Sequence, residues 1–175
     1  EIKNLDIGKY ILRETKTRKE YKIALEQNIT IEWGKTLNLT IENEKMKGKV
    51  KITKISEDDN LITGEVAGTP IANVKFEIYD DSGKLVDTLI TKTDGIAISK
   101  DLVVGKYIVK EKETGEYYEI NENDFEVEIT KNGEVVGLTI SNKSKTPPPE
   151  KPKEETPKIE VPPIEPIKKL PVTGY

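Results

Sequence analysis

The stretch Lys49-Val-Lys-Ile-Thr-Lys54 alternates polar and apolar side chains as far as Thr53, and Lys54 stands where the next apolar residue is expected. Such a period of two is typical of a β-strand with one buried face, because successive side chains of a strand point to opposite sides. Similar runs, separated by turn signals such as Thr93-Asp94-Gly95, follow along the chain at 74–80, 84–91, 106–112, 125–130 and 134–142. Short strands at this spacing predict an all-β sandwich.

The composition argues against several classes of site. The 175 residues include no cysteine and no histidine, and the net charge is −4. Without these residue types there is no disulfide, no thiol nucleophile, no histidine-based catalytic triad and no histidine ligand for a metal. No basic stripe stands apart from the acidic residues, so nucleic acid is not an expected partner. We expect a structural protein without a cofactor or a metal, and not an enzyme.

An internal repeat covers much of the chain. Residues 8–23 (GKYILRETKTRKEYKI) and 105–120 (GKYIVKEKETGEYYEI) are identical at eight of sixteen positions. The similarity resumes at 37–45 (LNLTIENEK) and 136–144 (VGLTISNKS), after a two-residue difference in length. A repeat of this kind indicates two copies of one structural module.

The repeat and the composition divide the sequence into four parts. We expect residues 1–47 to be the C-terminal half of a preceding module whose first half is missing, so that the sequence is a fragment, and residues 48–145 to be one complete module. Residues 146–169 hold eight of the ten prolines, mixed with Lys and Glu. This composition predicts an extended, disordered spacer. Residues 170–175 form a short terminal motif.

Three strands of the complete module carry a polar residue where the next inward apolar residue is expected. These residues are Lys54 on the first strand, Glu111 on a central strand and Asn142 on the last strand. Each could mark a strand end that emerges into solvent, because burying a lone charge is expensive. Because all three polar residues stand at the inward phase of their strands, they indicate a shared site instead. The upstream half repeats two of these residues, at Glu14 and Asn43.

An amine, a carboxylic acid and a carboxamide together can form a crosslink. A neutral lysine amine can attack an asparagine carboxamide carbon and expel ammonia, and desolvation favours the neutral amine. A buried, protonated glutamic acid can polarise the carboxamide and hand a proton to the departing nitrogen. A folded core holds the reacting groups in place, which replaces a large entropic barrier.

These features resemble the collagen-adhesin B-type domain, also called CnaB, SpaA-like or prealbumin-like, of Gram-positive pilins and adhesins. The stretches that carry the resemblance are 49–54, 71–78, 93–95, 105–111, 117–118 and 138–142. The resemblance covers 48–145 completely and 1–47 as a half-module. It implies an immunoglobulin-like or prealbumin-like β-sandwich.

The resemblance also implies a role for each polar residue. An autocatalytic isopeptide bond would join Lys54, the nucleophile, to Asn142, the electrophile, with Glu111 as the catalytic proton shuttle. Lys51 is the rival nucleophile, but its parity predicts that it faces away. The family's usual alanine-proline-x-glycine segment after the glutamate is replaced here by residues 112–116 (KETGE), a loop that we expect not to be catalytic.

The C-terminus carries Leu170-Pro171-Val172-Thr173-Gly174, which matches the LPxTG sorting pattern. Its position after a proline-rich spacer favours a sorting motif over an ordinary proline turn. The resemblance implies cleavage by a sortase between Thr173 and Gly174 and transfer of the Thr173 carboxyl group to peptidoglycan or to a pilin lysine. We therefore expect an extracellular protein anchored to a Gram-positive cell wall.

Three functions fit this organisation. The first is a structural stalk that projects a distal head from the wall. The second is a ligand-binding adhesin that grips host matrix or glycan, either in this module or through missing distal domains. It would need an exposed aromatic or apolar patch. The chain has one tryptophan, Trp33, in the upstream half, and two phenylalanines, and we expect the phenylalanines in the core. The third is a pilin subunit that a sortase polymerises.

Overall fold

The computed structural model describes residues 4–147, and the regular elements in this range are all β-strands. They are β1 (Gly8–Leu12), β2 (Gln27–Ile31), β3 (Lys47–Ser56), β4 (Lys75–Asp80), β5 (Leu85–Ile90), β6 (Ile96–Ile98), β7 (Leu102–Val103), β8 (Gly105–Glu113), β9 (Asp124–Ile129) and β10 (Val135–Asn142). The predicted all-β class is confirmed. Within 4–147 there is no helix long and apolar enough to cross a membrane. The spacer beyond residue 147 and the sorting motif at 170–174 lie outside the described residues.

Strands β3 to β10 form two sheets that pack face to face. One sheet has the order β10-β3-β6, with β7 also pairing with β3, and the other has the order β5-β4-β8-β9. Strand β10 runs parallel to β3, and the remaining pairs of the two sheets are antiparallel. The core between the sheets consists of Val50, Ile52, Ile71, Val74, Phe76, Ile78, Leu89, Ala97, Leu102, Tyr107, Val109, Tyr118, Val127, Ile129 and Ile140.

The alternation that predicted β3 is visible in its burial. Every second residue from Gly48 to Ser56 is buried, and Lys51 lies on the opposite side of the strand. The predicted inward parity is confirmed here. It holds in β8 and at the end of β10 as well, where Glu111 and Asn142 are buried.

The sequence pattern located six strands of this unit to within two residues of their ends. It missed β6, of three residues, and β7, of two residues. A period of two needs about four residues to be recognised. Both strands pair with β3, so they complete its sheet without leaving a signal of their own.

Residues 4–45 form a smaller arrangement. Strands β1 and β2 pair in antiparallel fashion along their full length. An isolated bridge joins Tyr21 to Lys45, and the repeat-equivalent positions Tyr118 and Ser144 form the same bridge in the larger unit. The segment 37–43, which corresponds to β10, is not a strand.

Candidate functional site

Lys54 is fixed in the core by the backbone around it. Its N–H donates to the Gly95 carbonyl at 2.8 Å, and its carbonyl accepts from Ile71 N–H at 3.0 Å. Gly95 has a φ of 71°, and a Cβ there would lie 2.4 Å from the Lys54 carbonyl oxygen. Only glycine fits this approach, which explains the Thr93-Asp94-Gly95 turn. The Lys54 side chain is fully buried.

Asn142 and Glu111 reach Lys54 from two directions. In the parallel pairing of β10 with β3, Ile140 lies opposite Lys54 and Asn142 lies opposite Ser56. Asn142 is therefore on the same inward face, one side-chain step further along the strand. Glu111 approaches from β8 in the facing sheet.

The three side chains contact one another inside the core. The Lys54 ammonium Nζ donates to Asn142 Oδ1 and lies 3.1 Å from Glu111 Oε2. Asn142 Nδ2 donates to Glu111 Oε1 at 2.5 Å. Glu111 Oε2 accepts no hydrogen bond from the described residues, so its contact with Lys54 is an ion pair. One carboxyl group thus touches both the attacking nitrogen and the nitrogen that would depart.

The orientation of the carboxamide bears on the role of Glu111. From the sequence, Glu111 was expected to polarise the carboxamide and to hand a proton to its nitrogen. In the structure Asn142 Oδ1 faces Lys54, and Glu111 contacts only the nitrogen side of the group. This arrangement leaves Glu111 suited to proton transfer between nitrogens, without a contact to the oxygen.

Burial shifts the protonation equilibrium of the Lys54 amine towards its neutral form. Burial lowers the pKa of the Lys54 amine below its ordinary value of 10.5, and the nearby Glu111 carboxylate partly opposes this shift. Desolvation dominates because the charged form loses its hydration in the core. A larger fraction of the amine therefore carries a free lone pair than on an exposed lysine.

Sequence reasoning missed a fourth participant. Thr114 Oγ1 accepts a second hydrogen bond from Asn142 Nδ2, at 2.8 Å. Thr114 belongs to the segment 112–116, which departs from the family pattern and was expected not to be catalytic. The departure itself was the available signal, because it places a hydroxyl group three residues after Glu111.

The upstream half contains a similar pair without a lysine. Asn43 Nδ2 donates to Glu14 Oε2 at 2.6 Å and to the Lys22 carbonyl at 2.9 Å. Glu14 Oε2 also accepts from Ala24 N–H at 2.7 Å. Glu14 and Asn43 are half-buried, whereas Glu111 and Asn142 are only 5% and 1% exposed.

The aromatic residues bear on a ligand-binding role. Phe76 is fully buried, and Phe125 packs against the core, as expected. Trp33 follows β2 and is 85% exposed. It therefore lies away from the sandwich core formed by β3 to β10.

Comparisons with known proteins agree with this fold. Over 81 residues the chain is 33% identical to the trypsin-resistant surface T6 protein of Streptococcus pyogenes serotype M6, which covers 46% of this chain and 15% of that protein. The solved structure of the Bacillus anthracis TIE protein matches with 32% identity and a TM-score of 0.68, over 81% of this chain and 26% of that one. The minor pilin of Streptococcus agalactiae matches with 23% identity and a TM-score of 0.48, over 86% and 66%.

The chain thus spans only a small part of its first two relatives. A family model, the SpaA prealbumin-like fold domain, matches residues 1–45 and again 48–144. Each of the two matched ranges contains one copy of the internal repeat. Because they cover most of the sequence, the chain belongs to the SpaA family of prealbumin-like fold domains.

Proposed function

We propose that this chain is part of the stalk of a Gram-positive surface protein, and that its complete module is locked by an isopeptide bond between Lys54 and Asn142. One observation carries the proposal: the buried Lys54 amine and the Asn142 carboxamide are in contact, and both touch the Glu111 carboxyl group. A buried Lys–Glu–Asn cluster contributes less stability than apolar side chains of similar volume would. A chemical role explains its presence.

The reaction is a transfer of the Asn142 acyl group from one nitrogen to another. The lone pair of Lys54 Nζ attacks Cγ of Asn142, and the bond between Cγ and Nδ2 breaks. Glu111 takes a proton from Nζ and delivers a proton to Nδ2, which departs as ammonia. The products are a secondary amide and one ammonia, and Glu111 returns to its starting state. The chain would act once on itself, so it is not an enzyme with turnover.

The rate of this step depends on positioning. The fold holds amine, acid and carboxamide within hydrogen-bonding distance, and well-oriented intramolecular groups gain an effective concentration on the order of 10⁵ M or more. Burial excludes water, which would otherwise compete with the amine for the carbonyl carbon. A modest nucleophile and a poor leaving group can therefore react over the lifetime of a protein.

We further propose that the LPVTG motif attaches the chain to the cell wall. A sortase would cleave between Thr173 and Gly174 and transfer Thr173 to peptidoglycan. The name of the streptococcal relative, a surface protein, supports an extracellular location. The proline-rich composition of 146–169 suits a spacer between the wall and the folded module.

Intact mass spectrometry of the folded chain tests the isopeptide bond. The wild-type chain should lack the mass of one ammonia. Lys54→Ala, Asn142→Ala and Glu111→Ala should each retain the full mass, because each removes one reacting or proton-carrying group. Lys51→Ala is the matched control and should still lose ammonia. An unshifted wild-type mass would reject the proposal.

Incubation with a purified sortase and a glycine peptide tests the anchoring. The wild-type chain should lose the dipeptide Gly174-Tyr175 and gain the glycine peptide on Thr173. Pro171→Ala should prevent the exchange, because the proline fixes the backbone of the motif. An intact C-terminus after incubation with several classes of sortase would count against a sorting role.

A further inference from the structure

The Asn142 carboxamide is held by three hydrogen bonds. Its oxygen accepts from Lys54 Nζ, one N–H donates to Glu111 Oε1, and the other N–H donates to Thr114 Oγ1. All hydrogen atoms of the nitrogen are thereby used. Turning the group by half a rotation would place its N–H donors against the Lys54 ammonium group, so the contacts select one orientation.

We propose that Thr114 is a positioning residue for the crosslinking reaction, which holds the departing nitrogen of Asn142; this inference rests on the isopeptide bond proposed above. Glu111 alone fixes one N–H of the carboxamide. Thr114 fixes the second, which sets the plane of the group. The plane decides whether Lys54 Nζ meets the face of the carbonyl carbon, where attack must occur.

The loop that carries Thr114 is tied to the strand end that carries Asn142. Thr114 follows directly on β8, which ends at Glu113. Two backbone hydrogen bonds then join the loop to the residues after β10: Glu119 N–H to the Lys143 carbonyl at 2.8 Å, and Lys145 N–H to the Tyr117 carbonyl at 2.9 Å. The loop that carries the Thr114 hydroxyl group is therefore held by β8 at one end and by the residues after β10 at the other.

The contact with Thr114 exists only until the reaction is complete. During the reaction Nδ2 gains a proton and leaves as ammonia, and Thr114 Oγ1 accepts an N–H from it throughout without exchanging a proton. The new amide carries a single N–H, and its nitrogen is that of Lys54. Once ammonia has left, Thr114 has lost its partner in the site. Thr114 should therefore affect the formation of the crosslink and not the stability of the linked module.

The repeat provides an internal control for this role. Thr17 occupies the position equivalent to Thr114 in the upstream copy. There the second N–H of the asparagine goes to the Lys22 carbonyl instead. A substitution at Thr17 should therefore leave the crosslinking of the complete module unchanged.

The rate of ammonia loss tests the inference. The full chain is made by in vitro translation and captured in denaturant before it folds. It is then transferred to buffer to start folding, and samples taken over time are quenched in acid for intact mass measurement. Thr114→Val, which keeps the shape and removes the acceptor, should slow the loss roughly three- to tenfold, the effect of one hydrogen bond. Thr114→Ser should restore the rate to near the wild-type value, and Thr17→Val should not change it.

A second measurement separates positioning from a structural effect. After full crosslinking, Thr114→Val and wild type should unfold at the same denaturant concentration. If the wild type loses ammonia and Thr114→Val loses it at the same rate, the inference about Thr114 is overturned, but the proposed isopeptide bond is not. The same holds if serine fails to restore the rate, or if the linked variant is less stable. A wild type that never loses ammonia would instead overturn the isopeptide bond itself.

Discussion

Residues 4–45 and the module from β3 to β10 contain the same Glu–Asn pair, but they differ in the strand beside it. In the module, β10 pairs in parallel with β3 over eight residues, and Ile140 is 1% exposed. The equivalent segment 37–43 has no such neighbour within the described residues. It forms no strand, and its Ile41 is 40% exposed. The regular strand conformation of β10 thus accompanies its pairing with β3.

The pair itself does not depend on β3. Asn43 contacts Glu14 at 2.6 Å, as Asn142 contacts Glu111 at 2.5 Å. The backbone bonds that anchor the two sites also repeat: Lys22 N–H to the Glu44 carbonyl at 2.8 Å matches Glu119 to Lys143 at 2.8 Å. The C-terminal half of the module therefore brings the acid and the carboxamide together by itself. Strand β3 adds the lysine amine.

The largest difference between the two regions should be in stability. Asn142→Ala would remove the proposed crosslink between positions 54 and 142, and we expect the free energy of unfolding of the module to fall by about 4–5 kcal/mol, by analogy with a disulfide closing the same loop. For a module of this size the melting temperature should drop by about 20 °C. Thermal unfolding followed by circular dichroism measures the change.

Asn43→Ala is the matched control in the upstream region. It removes a half-buried side chain without a lysine partner, so the module should unfold at the wild-type temperature. Equal losses from Asn142→Ala and Asn43→Ala would remove the distinction between the two regions.

The next largest effect on the free energy of unfolding should come from a glycine in a turn. Gly95→Ala should lower the free energy of unfolding by about 2–4 kcal/mol, because it combines a positive φ with a clash against the Lys54 carbonyl. Gly34, after β2, has a similar φ of 67° but open space around it. Gly34→Ala should cost only about 1–2 kcal/mol. Denaturant titrations compare the variants, and a Gly95→Ala effect as small as that of Gly34→Ala would mean that the approach to Lys54 is not tight.

A smaller effect should appear as a pH dependence. In Asn142→Ala the Lys54 amine stays free, and its pKa in the folded state lies below 10.5 because of burial. The unfolded state then binds more protons, so the free energy of unfolding of this variant should rise as the pH increases from the lowered value towards 10.5. The crosslinked wild type carries an amide there, which does not titrate.

The measurement is the difference in unfolding free energy between wild type and Asn142→Ala, from neutral pH to about pH 10. This difference should shrink as the pH rises, while contributions common to both chains cancel. Adding Lys54→Met to Asn142→Ala is the control and should abolish the trend. A difference that grows with pH would contradict a lowered pKa at Lys54.

The smallest effect should be covalent capture by the upstream region. A synthetic peptide with the sequence of β3, residues 47–56, could lie along 37–43 with its last lysine, Lys54, opposite Ile41. We expect only a minor fraction of chains to gain the peptide minus one ammonia, because association from solution costs translational and rotational freedom. Intact mass spectrometry detects the adduct.

Two substitutions control this experiment. Asn43→Ala in the chain, or alanine in place of Lys54 in the peptide, should prevent the adduct. An adduct that survives either change would show that another residue reacts, and no adduct with the unchanged pair would mean that the upstream site is not equivalent to the one at Asn142.

Much of the fold could be predicted from short-range pattern. The alternation along β3 identified Lys54 as inward, and the same reasoning applied to Glu111 and Asn142, because the period of two is a local property of a strand. Pairing was not predictable in this way. The parallel pairing of β10 with β3 depends on how the strands of the sheet assemble, and the sequence pattern of neither strand indicates it.

The details of the site were harder to predict than its members. The orientation of the Asn142 carboxamide depends on donors and acceptors from three separate elements, and Thr114 enters only because its loop is tied to the end of β10. Thr114 stood in a segment noted for departing from a pattern. A polar residue three positions after Glu111 was an available signal, but an interpretation based on strand periodicity takes no account of it.

The parallel pairing of β3 with β10 has a mechanical consequence. A pull along the chain enters the module at β3 and leaves just after β10, so it would slide two neighbouring strands past each other in shear. A covalent tie from Lys54 to Asn142 passes that load directly between them. The 87 residues from 55 to 141, which could add about 300 Å when extended, would then never bear tension. A tied module would keep its length under a force that unravels an untied one.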